Sequence, residues 1–271
     1  MASLNLFAVR QNTPRVARGA ASAIVFVLLL AAWLAASSTG FIDPMFLPSP
    51  ASVLSTAWRF YAHEQFADDL FASLYRVIVG FGIAALLAVP LGVAMGAWEM
   101  ARAAFEPLLG FIRYMPATAF VPLLVLWLGV DDAQKFAVVW LGTFFHLALL
   151  VMNSTLSVRA ELIDTAQLLG ASRLQLVTRV IWPAARPLIW SDLRVVLGWA
   201  WSYIVVAELV SANSGVGFQI LRASRFLDVS TIFVGIFSIG VVGITSDLAM
   251  AAIGRWLFPY RRVHREQGTA S

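Results

Sequence analysis

The stretch that most constrains this chain is a polar interruption, RAELIDTAQLLGASRLQLVTRVIWPAARP from Arg159 to Pro187, flanked on both sides by apolar runs long enough to cross a bilayer. Arg159, Arg173, Arg179 and Arg186, with Glu161 and Asp164, would each cost about 2.5 to 3.5 kcal/mol at a bilayer centre, so the stretch itself is not a span. It has to lie in water or against a soluble partner.

Within it, Leu162, Ala166 and Leu169 recur at i, i+4 and i+7, the spacing of one face of a short helix. Gly170 is a natural stop, since glycine tolerates the left-handed conformation that helix C-termini often adopt. Ser172 and Gln175 form the S-x-x-Q pattern of a capping box and open a second helix with Leu174, Val177 and Ile181 on one side. Pro183 and Pro187 are expected to bend or end that helix before the next apolar run. The expectation is a helix, a tight turn and a helix held outside the bilayer.

The remainder is too apolar for one soluble core: 60% of the 271 residues are hydrophobic and 13% charged. A polar start, 1–19, precedes an apolar run from about Ala20 to Ala36 that reads as a retained first span rather than a cleaved signal peptide, because SSTG is a poor cleavage site. Residues 39–72 are mixed; the two prolines of FLPSP forbid a regular helix there, and Trp58, Phe60, Tyr61 and Phe66 suit either an interfacial stretch or a covering loop. Further spans are expected at about 74–97, 117–130, 136–153, 193–210 and 231–257. Gly92 and Gly96 in the second have the G-x-x-x-G spacing that admits a close helix neighbour, within one subunit or between two. A turn carrying Glu99, Arg102, Glu106 and Arg113 precedes the third, which is short and must begin earlier or be irregular around Pro116 and Pro122.

Six spans with the N-terminus inside place Arg10, 15, 18, 102, 113, 159, 173, 179, 186, 255, 261, 262 and 265 on the cytoplasmic side. Arg59, Lys135, Arg222 and Arg225 fall outside, and Arg76 and Arg194 lie near span ends. This asymmetry satisfies the positive-inside rule and puts the 159–187 elbow in the cytoplasm. The expected architecture is an all-α integral membrane protein of six transmembrane helices, with tails at 1–19 and 258–271 around a membrane domain at 20–257.

Asp164-Thr165-Ala166, Gly170 and Val180-Ile181-Trp182-Pro183 stand in the register of the coupling-loop signature of bacterial ABC-transporter permeases, E-A-A, three residues, G, nine residues, I-x-L-P. Asp replaces Glu, Thr the first Ala, and Trp the Leu. The wider phrases RYMPATAFVPLLVLWLGV (113–130), LGASRLQL (169–176) and WSYIVVAELVSANSGVGF (201–218) resemble the permeases for nitrate, sulfonate, taurine and related small anions. The resemblance runs from about Phe46 to Pro259. It implies an importer subunit whose elbow docks on a separate cytoplasmic ATPase dimer through Glu161, Asp164, Thr165, Ala166, Leu169, Gly170, Ala171, Ser172 and Pro183. It also implies a second permease copy, an extracytoplasmic solute-binding protein that carries most of the selectivity, and ATP and Mg bound on the ATPase rather than here.

The motifs the chain lacks agree with that division of labour. It has no Walker A loop, and its lysine, Lys135, sits at a predicted outer turn. It has no nucleophile elbow, no zinc-protease motif and no plausible triad, so an enzyme is not expected. The helix-turn-helix shape of the elbow suggests DNA binding, but its tethering between spans argues against it. His146, without companion ligands, reads as a packed, hydrogen-bonded histidine rather than a metal ligand. Candidate pathway or gate residues are Tyr114, Met115, Pro116 and Thr118 at the irregular third span, with Trp201, Glu208 and Asn213. Glu208 either anchors an outer gate or pairs with Arg222 or Arg225; a lone acid is a poor ligand for an anion. Asp247 should face protein or water. The alternatives are a self-sufficient secondary carrier or channel, for which no internal repeat is evident, and a membrane scaffold without substrate.

Overall fold

The computed structural model describes residues 15–40, 42–63 and 66–259. Of the two expected tails, all but residues 15–19 and 258–259 lies outside the described residues. The regular structure described is all helical: α1 (Arg15–Ser38), α2 (Pro50–His63), α3 (Phe66–Ala97), α4 (Glu99–Ile112), a 3₁₀ turn (Ala117–Phe120), α5 (Val121–Leu128), α6 (Asp132–Leu156), α7 (Ala160–Leu168), α8 (Arg173–Gln175), a π-helical turn (Leu176–Ile181), α9 (Trp182–Ser211), α10 (Val216–Arg225) and α11 (Val229–Leu257). Five helices are long and apolar enough to cross a membrane, and six spans result if the bent pair α4 and α5 counts as one.

The centre is α6, packed against α3 and α9, with Val77, Ala84, Ala88, Val139, Leu147, Ala148, Val151, Val196 and Ala200 fully buried between them. Glycine makes the α3–α6 approach possible. A Cβ on Gly92 would lie 2.6 Å from both the Ala148 carbonyl oxygen and Val151 Cβ, and one on Gly80 would lie 2.8 Å from Val139 Cβ. The G-x-x-x-G spacing is therefore occupied inside the subunit.

Three expected boundaries move. The second span begins at Phe66 rather than Leu74, because Asp68 and Asp69 fall in the first turn of α3, where the helix dipole favours anions. The mixed segment before it contains a helix after all: Pro50 occupies the first position of α2, where a missing N–H costs nothing. Phe60 is buried against Phe66, Tyr61 Oη donates to Ser238 Oγ at 2.9 Å, and Trp58 stays exposed. The turn expected at Glu99 to Arg113 is the helix α4, with Arg102 paired to Glu99, and a 78° bend separates it from the helical segment 117–128.

The prolines at 183 and 187 do not end the helix, which runs unbroken from Arg173 to Ser211 over 39 residues. Pro183 follows directly on the π-helical turn, whose widened loop of backbone takes up the carbonyl that a proline ring would otherwise strike. On the periphery, Asp247 of α11 accepts from Arg194 of α9 at 3.0 and 2.8 Å, which satisfies its expected need for a partner. Trp33 of α1 stacks on Phe233 at 5.5 Å, while the apolar window of α1 is otherwise left uncovered by the rest of the chain.

Gly92→Val is expected to lower the thermal midpoint of the purified protein sharply, by overpacking worth about 1–3 kcal/mol or more, whereas Gly82→Val, whose Cβ meets nothing within 4 Å, leaves it nearly unchanged. A fluorescence-detected melting curve in detergent distinguishes the two.

Candidate functional site

Three sites emerge, at the elbow, at the bend and at the far end of α9. In the elbow, α7 buries none of its residues. Its C-terminus is a Schellman turn: Ala171 N–H donates to the Ala166 carbonyl at 3.0 Å and Gly170 N–H to that of Gln167 at 2.9 Å, with Gly170 at φ +82°. The capping box forms as expected, Ser172 N–H donating to Gln175 Oε1 at 2.8 Å and Gln175 N–H to Ser172 Oγ at 3.4 Å. Leu176 and Ile181 are buried and hold the elbow to the bundle. Leu168, Leu169 and Leu174 are 88, 84 and 66% exposed, an apolar tip the chain does not cover. Glu161, Asp164, Thr165, Gly170 and Ser172 are exposed around it, with Ala166, Ala171 and Pro183 half-buried.

At the bend between α4 and the 3₁₀ turn lies a cavity of about 240 Å³. Tyr114, Met115, Pro116 and Thr118, expected at an irregular span, all line it, together with Arg113. Phe145 and His146 enter from the middle of α6, and Tyr203 from α9, its ring seated on Gly142. The cavity is therefore at mid-height of the bundle. Trp201 is elsewhere, 4% exposed in the main core. His146 lies edge-on to Trp199 at 5.3 Å; its Nδ1 has the Gly142 carbonyl nearby but no well-formed hydrogen bond. No group of three potential metal ligands occurs among the described residues.

The third site corrects the expected partner of Glu208. The carboxylate is fully buried and pairs with Arg76 of α3, Nη1 to Oε1 2.8 Å, not with Arg222 or Arg225. It also accepts from Ser73 Oγ at 2.8 and 2.9 Å and from Gly217 N–H at 2.9 Å. Arg76 further donates through Nε to Asp132 of α6 at 2.7 Å, through Nη1 to the Ser214 carbonyl at 2.7 Å and through Nη2 to Ser214 Oγ at 2.8 Å. Asp69 accepts from Gly215 N–H and Gln219 Nε2, each at 2.6 Å. Lys135, expected at an outer turn, lies in the first turn of α6 and is buried, and its ammonium donates to the carbonyls of Val130 and Asp131 at 2.7 and 3.2 Å. The loop from Asn213 to Gly217 is thus tied down, with Asn213 itself exposed. Gly215 adopts φ +108° against Glu208, a place no other residue fits.

The sequence carried a sign of this cluster that composition hid. Asp69, Ser73 and Arg76 stand at i, i+4 and i+7, one polar stripe on an otherwise apolar span. Arg113, by contrast, was assigned to a surface turn, and only the 78° bend brings it to the cavity.

A helical bundle with apolar spans, a polar-lined cavity at a broken helix and a protruding elbow defines a membrane transport subunit, and its homologues are transport permeases rather than enzymes. The chain belongs to the family of binding-protein-dependent transport system inner membrane components, whose model matches residues 75–259. It is 36% identical to a probable ABC transporter permease protein of Brucella melitensis, over 86% of this chain and 93% of the relative. It is 34% identical to the taurine transport system permease protein of Escherichia coli K12, over 86% of each. It is 31% identical to a putative aliphatic sulfonates transport permease protein of Bacillus subtilis 168, over 95% and 94%. Its fold matches a chain in a solved inward-facing conformation of the MetNI methionine ABC transporter, with TM-score 0.56 and 17% identity, covering 68% of this chain and 95% of that one.

Arg76→Met, which strands a buried carboxylate, is expected to cost about 3–5 kcal/mol and to show as a large drop in melting temperature, while Arg222→Ala stays within about 0.5 kcal/mol. Glu208→Gln keeps the size of the side chain but turns an amide N–H₂ toward either Arg76 or Gly217 N–H, and is expected to lower the melting temperature less than Arg76→Met and to slow transport in an uptake assay.

Proposed function

We propose that this chain forms the translocation pathway of an ATP-driven importer for a small organic or inorganic anion of the nitrate, sulfonate or taurine kind. The elbow engages a separate cytoplasmic ATPase. The observation that carries this reading is the elbow itself. A capped, preformed turn exposes Leu168, Leu169 and Leu174, ringed by Glu161, Asp164 and Ser172, and its second helix is continuous with a membrane span. Three uncovered leucines on a rigid tip are what a groove in a soluble partner would bury.

In this reading both termini and the elbow lie in the cytoplasm of a bacterial inner membrane, as the arginine distribution supports. Two copies line the pathway, each gripping one ATPase subunit, and ATP and Mg bind there. Closure of the ATPase dimer draws the elbows together and turns the cavity outward. Glu161, Asp164, Thr165, Ala166, Leu169, Gly170, Ala171, Ser172 and Pro183 form the docking element. Tyr114, Met115, Pro116 and Thr118 face the pathway, and Glu208 with the Asn213 loop holds its outer end. The substrates named for two relatives, taurine and aliphatic sulfonates, share a sulfonate head, which supports a solute with an anionic oxyanion group.

Gly170→Trp tests the reading. A Cβ at Gly170 would meet nothing within 4 Å, so the bundle itself is unaffected, while the φ of +82° and the tip surface are both disturbed. The variant is expected to insert and purify normally but to lose co-purification of the ATPase and all ATP-dependent uptake. Normal co-purification, or uptake by wild-type protein in vesicles without any ATPase, overturns the assignment.

A further inference from the structure

From the cavity at the bend, and resting on the anion reading above, we propose that Arg113 is the head-group receptor for the transported solute. The site is built for a monoanionic organic oxyanion with a short apolar tail, and against a zwitterion such as an amino-sulfonate.

None of the cavity's lining residues is Asp or Glu, and among the described residues no carboxylate approaches Arg113 within 4.0 Å. Among the described residues, buried Arg76 is matched by Glu208 and Asp132 and half-buried Arg194 by Asp247, whereas Arg113 is an exposed side chain of the cavity lining. Arg113 has only Tyr114, whose ring centroid lies 4.9 Å from its Cζ and whose Oη accepts from Nη2 at 3.1 Å. That contact orients the guanidinium and uses one of its five N–H donors, leaving a fork suited to two oxygens of a sulfonate or carboxylate. Thr118 and His146 belong to the same lining, with the unpaired Nδ1 of His146 itself buried away from the space.

The apolar part of the lining is Ile112, Phe120, Leu141 and Phe145. At about 240 Å³ the space is below the range of drug-sized pockets and fits a head group with a few carbons. An ammonium on that tail would leave water with no carboxylate to receive it, and aromatic faces would compensate only in part. A plain alkanesulfonate carries no such group. The bend places all of this level with residues 141–146, the middle of α6, where a solute midway through the membrane would be held.

The test is equilibrium binding of radiolabelled butanesulfonate and taurine to the full-length chain with its co-purifying ATPase, in nanodiscs of neutral phospholipid, without binding protein or nucleotide. Saturable butanesulfonate binding is expected, with taurine weaker by about tenfold or more, since its amine is left unpaired. Arg113→Met should weaken butanesulfonate by at least about tenfold, Arg113→Lys less, both with unchanged melting temperature and ATPase co-purification. Equal binding of taurine, unchanged binding by Arg113→Met, or no saturable sulfonate binding overturns the proposal. So does competition by added phosphatidylglycerol, which would mark a lipid phosphate site. Absence of the ATPase from the purified wild type would count instead against the importer reading.

Discussion

One guanidinium fixes the far end of this bundle. Arg76 sits in a membrane-length helix, is 5% exposed, and would be prohibitive there without partners. Each of its nitrogens meets an oxygen: Asp132 on α6, Glu208 on α9, and the carbonyl and hydroxyl of Ser214 in the following loop. Because two opposite charges and their hydrogen bonds must close together, α3, α6, α9 and the start of α10 have one arrangement at this end and few near alternatives. Hydrophobic contact alone would not supply this, since lipid is as apolar as the helix surfaces and gives little drive for one apolar face to prefer another.

The same helix that brings Glu208 to this cluster begins in the elbow. Residues 173–211 form one rod of about 58 Å at 1.5 Å per residue. Along it stand the capped turn, Tyr203 at the cavity wall and Glu208 in the charge cluster. The π-helical turn before Pro183 takes up the carbonyl its ring would otherwise strike, and Pro187, like Pro90 of α3, sits inside the helix without ending it. No loop interrupts the helix between the elbow and the cavity wall.

How much of this could be read from the amino acids depended on whether the feature was local. The turn at Gly170 and the Ser172–Gln175 cap were legible because each is settled by residues within one helical turn. The polar stripe of Asp69, Ser73 and Arg76 was equally local but masked by an apolar average. The pairing of Arg76 with Glu208 links residues 132 apart and depends on how α3 and α9 cross. Pro183 and Pro187 do not end the helix, and the π-turn that precedes Pro183 is announced by no single residue. The bend at 113–116 was anticipated as an irregularity, but its 78° angle, and with it the place of Arg113, is set by packing against α6.

Hydropathy identified the spans without ranking their places in the bundle. The α1 window, with mean hydropathy 2.3, has none of its residues buried, whereas α6, at 1.8, is half buried. The physical reason is that a helix facing lipid must be apolar all round, while a helix surrounded by other helices can carry groups that those helices satisfy. Gln134, Lys135 and Thr143 on α6 are all fully or nearly buried, and each makes at least one hydrogen bond to the chain. Yet α3, at 2.5 the most apolar span, is 39% buried, so apolarity alone does not place a helix at the rim or the centre. His146, on α6, lines the cavity.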